Sequence, residues 1–353
     1  MAREIGRSRR ARVTSELITA PSAAVNTDAV VFGRCHFPKT WRRLTEHLLT
    51  FPNVLVAGSS GQVALALKRV AAWRGLPVRA YGRPELDIAR PDRIEWLLDG
   101  ASPHVVINAA AYTAVDKAES EPELAAAVNR DGAAALARAC AKRNIPLIHI
   151  STDYVFDGAK SSPYVEDDNI APLGVYGVTK AAGEAAVRAH TPRHVIVRTS
   201  WVYGPDGANF LKTMLRLGAV RDELGVVGDQ HGAPTRADDL ASALIEIAQA
   251  VHAGPHKNLW GTYHLAGGGD TTWHGFASAI FEHAAATGLS TPRLKRIATS
   301  DYPTPAKRPA NSRLDQTKIL AAFGIELPGW RDSLAAHFAG TELHNPIPAL
   351  KRA

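Results

Sequence analysis

Cysteine is nearly absent: Cys35 and Cys140 are the only two in 353 residues. They imply no disulfide framework, and a reducing, cytoplasmic setting fits. The fourteen histidines contribute no His-Glu-x-x-His and no Cys/His cluster, so no built-in metal site is expected. No apolar run approaches the roughly 20 residues that span a bilayer, so no membrane association is expected. A basic body is lacking as well. Residues 1–50 hold nine Lys/Arg and four Asp/Glu, a net of +5 out of the whole chain's +7. The remainder, with 32 basic and 30 acidic residues, has no basic stripe for nucleic acid, and no nucleic-acid partner is expected.

The Arg-rich residues 1–50 lack the continuous apolar core of a secretory signal. They read as a disordered basic extension, or as the product of an upstream start codon, with a short helix at Thr40–Leu49. A structured body begins near residue 51. Residues 51–205 read mainly as a nucleotide-binding lobe and 206–340 mainly as a substrate lobe, the two interleaved, with 341–353 as a tail.

From Asn53 short apolar runs alternate with helical stretches, which predicts an α/β fold with a doubly wound parallel sheet of Rossmann type. The first run, Val54–Ala57, is followed by Gly58-Ser-Ser-Gly61-Gln62-Val63-Ala64 and then a helix. A turn of this kind sets backbone amides and a helix N-terminus against a pyrophosphate. Gly58 would permit the tight turn, Gly61 the close approach and Ala64 the helix–strand packing. A plain tight turn is the alternative.

The second strand, Val78–Tyr81, ends at Gly82-Arg83 with no acidic residue at its tip. An acid there binds a ribose 2′-hydroxyl, whereas an arginine accommodates a 2′-phosphate. The pattern points to NADPH, with NADH as the alternative. Asp87 follows and can face the adenine side. A third strand, Val105–Ile107, ends in small residues that leave room in the crevice. A long Ala-rich helix is expected from Pro122 to about Lys142. A fourth strand, Pro146–Ile150, ends at Ser151-Thr152-Asp153.

The next segment, Val175-Tyr176-Gly-Val-Thr-Lys180, places a tyrosine and a lysine four apart on one helix face. An ammonium beside a phenol favours the phenolate and draws its pKa down from about 10. That suits proton transfer to a carbonyl oxygen. The Thr152 hydroxyl, upstream, can hydrogen-bond the same oxygen. Trp201, after a fifth strand, is either a stacking platform or a core aromatic. The proline-fixed loop Tyr302–Arg313 carries Arg308, suited to gripping phosphate.

Taken together these motifs resemble the extended short-chain dehydrogenase/reductases, and more narrowly the dTDP-4-dehydrorhamnose reductase family. The matching stretches are Gly58–Val63, Thr113–Pro122, Ser151–Phe156, Ala171–Lys180, Arg198–Tyr203, Asp229–Thr235 and Tyr302–Leu314. The resemblance implies reduction of dTDP-4-dehydrorhamnose by NADPH. It makes Tyr176 the proton donor, Lys180 the ribose ligand that lowers the tyrosine pKa, and Thr152 the partner of the reacting oxygen. Gly61, Gln62 and Val63 would cradle the pyrophosphate, and Asp87, Ile88, Ala111, Tyr112 and Thr113 would line the cofactor. Thr152, Asp153 and Trp201 would contact the deoxysugar. Family members that dimerise around Mg²⁺ use a glutamate on the first helix. Ala66 stands at the matching turn here, so a Mg²⁺ bridge is not expected, while a homodimer stays open.

Two other readings compete. Sugar-nucleotide epimerases and 4,6-dehydratases are close relatives, but dehydratases carry Asp-Glu after the threonine, and here Asp153-Tyr154 follows. The non-catalytic regulatory subunit of methionine adenosyltransferase shares the fold. Intact Thr152, Tyr176 and Lys180 favour an enzyme.

Overall fold

The computed structural model describes residues 51–254 and 259–340. The expected extension, the helix at Thr40–Leu49 and the tail lie outside them.

Six parallel strands form the central sheet: β1 (Val54–Ala57), β2 (Val78–Tyr81), β3 (Val105–Asn108), β4 (Leu147–Thr152), β5 (His194–Thr199) and β6 (Gly261–His264). Their order is β6-β5-β4-β3-β1-β2. β1 and the first three residues of β3 read as unbroken apolar runs because both faces are covered, whereas the edge strand β2 carries the exposed Arg79. Val54, Val56, Val105 and Ile107 enter one core; Leu55, Ala57 and Val106, the alternate positions, enter the other.

Helix α1 (Gln62–Arg74) lies on the first face. On the second lie α2 (Pro91–Ala101) and, after the short α3 (Val115–Ala118) and α4 (Pro122–Ala126), α5 (Ala133–Lys142). Helix α6 (Val175–His190) joins that second layer through Val187. Beyond β5, α7 (Phe210–Gly218) begins a separate core, and α8 (Ala237–His252) returns to pack beside α1. Helices α9 (Trp273–Ala286) and α11 (Trp330–Phe338) complete the second core around Phe276, Ile280 and Leu334, while α10 (Thr317–Phe323) adds Ile319 and Phe323 to the first. Strand order reverses at β1, whose neighbours are β2 and β3. A crevice at the carboxyl ends of the strands is where such sheets bind ligands.

One expectation needs correction. The Ala-rich helix is not continuous: Ala127–Gly132 widens into a π-turn between α4 and α5. The buried Asn129 in that turn accepts from the Tyr112 amide (2.8 Å) and donates to the Tyr112 carbonyl and the Thr179 hydroxyl (both 3.1 Å). Such widened turns recur at functional sites.

Candidate active site

The turn after β1 is shaped by its glycines. Gly58 has φ +106°, and a Cβ there would come within 3.0 Å of the Ala110 amide. A Cβ on Gly61 would meet nothing within 4 Å, so that face is open. Gly61 caps α1 with no side-chain hydrogen bond, and the first turn holds no acid. Free amides and the positive end of the helix dipole therefore face the crevice, which fits a dinucleotide pyrophosphate. Ala64 is buried against the sheet. The side chain of Gln62 turns across the crevice: its oxygen accepts from Asn209 (2.9 Å) and its amide donates to the Val202 carbonyl (3.4 Å). Arg69 makes a second tie, to Asp206 at 2.7 Å and Asp238 at 2.5 Å. Sequence reasoning missed both ties, because the partners lie far along the chain.

Arg83 is exposed just past the end of β2. Asp87 is half-buried and accepts from the Ala89 amide (3.1 Å); Ile88 is buried beneath it. Ala111, Tyr112 and Thr113 follow β3, with Tyr112 pinned by Asn129 and its hydroxyl donating to Glu121 (2.7 Å).

Thr152 is the last residue of β4 and is buried. Its hydroxyl donates to Asp153 Oδ1 (3.0 Å) and accepts from the Tyr154 amide (3.2 Å). The Tyr176 phenol lies near enough for this hydroxyl to favour its ionised form. Tyr176 and Lys180 sit on the first two turns of α6. Gly177 lets that helix close on the Tyr154 carbonyl, which a Cβ would meet at 2.2 Å. Lys180 is buried and Nζ donates to the Ile150 carbonyl of β4 (2.7 Å). Thr152 at the end of β4 thus lies beside the start of α6, which carries Tyr176 and, one turn on, Lys180.

Their electrostatics differ from expectation. Burial pushes the Tyr176 phenol above its ordinary pKa; the Thr152 hydroxyl opposes this, and Asp153 and Tyr154 add to it. Burial pushes the Lys180 ammonium down to about 8, with Glu184 one turn later pulling it back up. Desolvation outweighs the charge effect that the spacing suggested.

Asp153 is fully buried, and burial raises its carboxyl to about 6 against hydrogen bonds from Ser312 and Thr152. Its Oδ2 has no hydrogen-bond partner among the described residues, nor has Nη1 of Arg308. Arg308 does not stand free in its loop. Its Nη2 donates to Asp116 of α3 (2.7 Å), and its guanidinium lies over the Tyr154 ring at 5.9 Å. Tyr154 in turn meets Tyr176 edge-on at 5.5 Å. Trp201, at φ +49°, stacks on Trp273 with ring centres 3.6 Å apart and remains half-exposed. It is both a packed aromatic and an open face. Among the described residues, no group of three or more His, Cys, Asp or Glu could hold a metal ion.

A family model described as the RmlD substrate binding domain matches residues 52–342. A dTDP-4-dehydrorhamnose reductase of Sinorhizobium fredii is 48% identical over 282 residues, covering 80% of this chain and 95% of that protein. The crystal structure of a dTDP-4-dehydrorhamnose reductase from Clostridium acetobutylicum is 36% identical. It superposes with a TM-score of 0.75 over 81% of this chain and 98% of its own. That of Bacillus anthracis, in complex with NADP, is 34% identical, with a TM-score of 0.76 over 82% and 100% of the two chains. With a family model over residues 52–342 and relatives at this identity over nearly the whole body, the chain belongs to the dTDP-4-dehydrorhamnose reductase family.

Proposed function

We propose that this protein reduces dTDP-4-dehydro-β-L-rhamnose to dTDP-β-L-rhamnose, the last step of dTDP-L-rhamnose synthesis. What supports this reading is that Thr152 ends β4 while Lys180, on the same helix α6 as Tyr176, donates to the Ile150 carbonyl of that strand. NADPH, when bound, supplies the hydride. Residues 51–205 hold it, through the Gly58–Val63 turn, the open amides of α1 and the Ala111–Thr113 segment. Arg83, with no acid at the tip of β2, is placed to receive a 2′-phosphate. Residues 206–340 complete the sugar side.

Tyr176 gives its phenolic proton to the 4-keto oxygen. Its raised pKa keeps it protonated at neutral pH, the form a donor needs. Thr152 turns its one hydroxyl proton from Asp153 to the same oxygen and steadies the charge that develops there. Lys180 binds the nicotinamide ribose and supplies positive charge next to the phenol as its proton leaves. Asp153 and Trp201 hold the deoxysugar, and the spare Nη1 of Arg308 meets a phosphate oxygen.

The test is NADPH consumption with dTDP-4-dehydrorhamnose made in situ by the upstream dehydratase and epimerase. Consumption that needs the epimerase, yielding dTDP-L-rhamnose, supports the reading. No consumption with NADPH or NADH refutes it. Tyr176→Phe should abolish turnover while NADPH still binds, and unchanged turnover would overturn the assigned proton donor.

A further inference from the structure

Helix α6 begins with an unsolved problem. Its first amides need acceptors, yet its N-cap is Gly174, which has no side chain to offer, and its first turn contains no acid. Tyr176 is its second residue, so fraying of that first turn would move the phenol directly.

The acceptor comes from another element. Glu119, just past α3, accepts the Val175 amide at 2.9 Å through Oε1. Gly174 makes room for it: a Cβ there would sit 2.5 Å from that same oxygen. The glycine that forfeits a local cap thereby admits a distant one. The carboxylate also places negative charge at the positive end of the helix dipole. The same short segment holds two more parts of the site. Asp116 accepts from the Ala306 amide (3.2 Å) and from Arg308 (2.7 Å), and Glu121 accepts from the Tyr112 hydroxyl (2.7 Å).

We infer that Glu119 is a positioning residue for Tyr176, capping α6 from outside and fixing its first turn to the segment that holds the Arg308 loop and Tyr112. The inference rests on the proposed reduction for its kinetic arm only.

The experiment compares full-length wild type with Glu119→Ala and Glu119→Gln. Removing the cap should lower kcat about tenfold or more, since small misplacements of a catalytic group are costly. KM and NADPH affinity, read by fluorescence titration, should stay within about threefold, because the binding contacts are untouched. Amide exchange in the Val175–Val178 stretch should quicken in Glu119→Ala. Glutamine keeps an acceptor oxygen, so Glu119→Gln should restore kcat to within about threefold of wild type.

A purely structural role would lower the fraction of protein that binds NADPH and leave kcat per binding-competent site unchanged. That result overturns the inference, as does unaltered exchange at the start of α6, or equal loss in both variants. If wild type fails to reduce the sugar, the functional reading falls, and the exchange comparison still decides the cap.

Discussion

Replacing Glu184 with glutamine should cost this protein a large part of its stability. Glu184 is fully buried on α6, one turn past Lys180. Its two oxygens take Nε and Nη2 of the buried Arg198 at 2.9 and 2.8 Å, and Oε1 also accepts from Ser151 at 2.6 Å. Arg188 reaches it at 3.2 Å. The amide of Glu184→Gln would turn a donor toward the guanidinium and leave Arg198 charged without compensation. Breaking one side of a buried pair costs about 3–5 kcal/mol, which lowers Tm by roughly 6–15 °C at about 2–3 °C per kcal/mol for a large domain. The acid dependence gives a second signature. Arg198 and Ser151 hold the Glu184 carboxyl below its ordinary 4.5, overcoming the opposing effect of burial. A carboxyl depressed in the folded state contributes stability above the unfolded value and loses it as pH falls through the folded one. The gap between wild type and Glu184→Gln should therefore be constant near neutrality and close below about pH 4.5. Pairing Glu184→Leu with Arg198→Met should recover part of the loss, since the guanidinium is no longer left without its carboxylate, although Lys180 still loses the charge that favours its ammonium. Thermal unfolding across a pH series is the assay. A Tm within about 2 °C of wild type at pH 7, or a gap that does not narrow in acid, would refute the account.

Other consequences follow from single positions. With Lys180 lowered to about 8, kcat/KM should fall as pH rises through that value and the ammonium is lost. The buried ammonium costs stability below that pH, so wild-type stability should rise between about 8 and 10.5, an increase that Lys180→Met should lack; a rate flat to pH 10 refutes it. A Cβ on Gly183 would lie 2.1 Å from the Asn129 carbonyl. Gly183→Ala should cost about 1–3 kcal/mol, measured by denaturant unfolding, as α6 is pushed off the π-turn. Gly58→Ala meets both φ +106° and the Ala110 amide. NADPH affinity by fluorescence titration should fall about tenfold or more, the equivalent of roughly 1–3 kcal/mol of strain.

How much of this was legible beforehand follows from the range over which each interaction acts. Val54–Ala57 and Val105–Ile107 read as buried strands because both of their faces face a core, and that requirement is written in consecutive residues. Tyr176 and Lys180 were legible because four residues of helix bring them together, and Thr152 because a strand end delivers it. The π-turn was not. Ala127–Gly132 has nothing in its own sequence that forbids an ordinary helix, and what widens it is Asn129 bonding to Tyr112 and to Thr179, 17 and 50 residues away. The phenol's electrostatics failed in the same way. Spacing told which charge stands near Tyr176, whereas the pKa is set first by burial, a property of the whole fold. Glu119 lay within a recognisable motif, but its partner is a backbone amide 56 residues on, and a backbone amide leaves no letter in a sequence. The groups that do the chemistry are therefore the ones a sequence announces. The groups that hold them at the right place are bound to main-chain atoms of distant elements, and only coordinates reveal them.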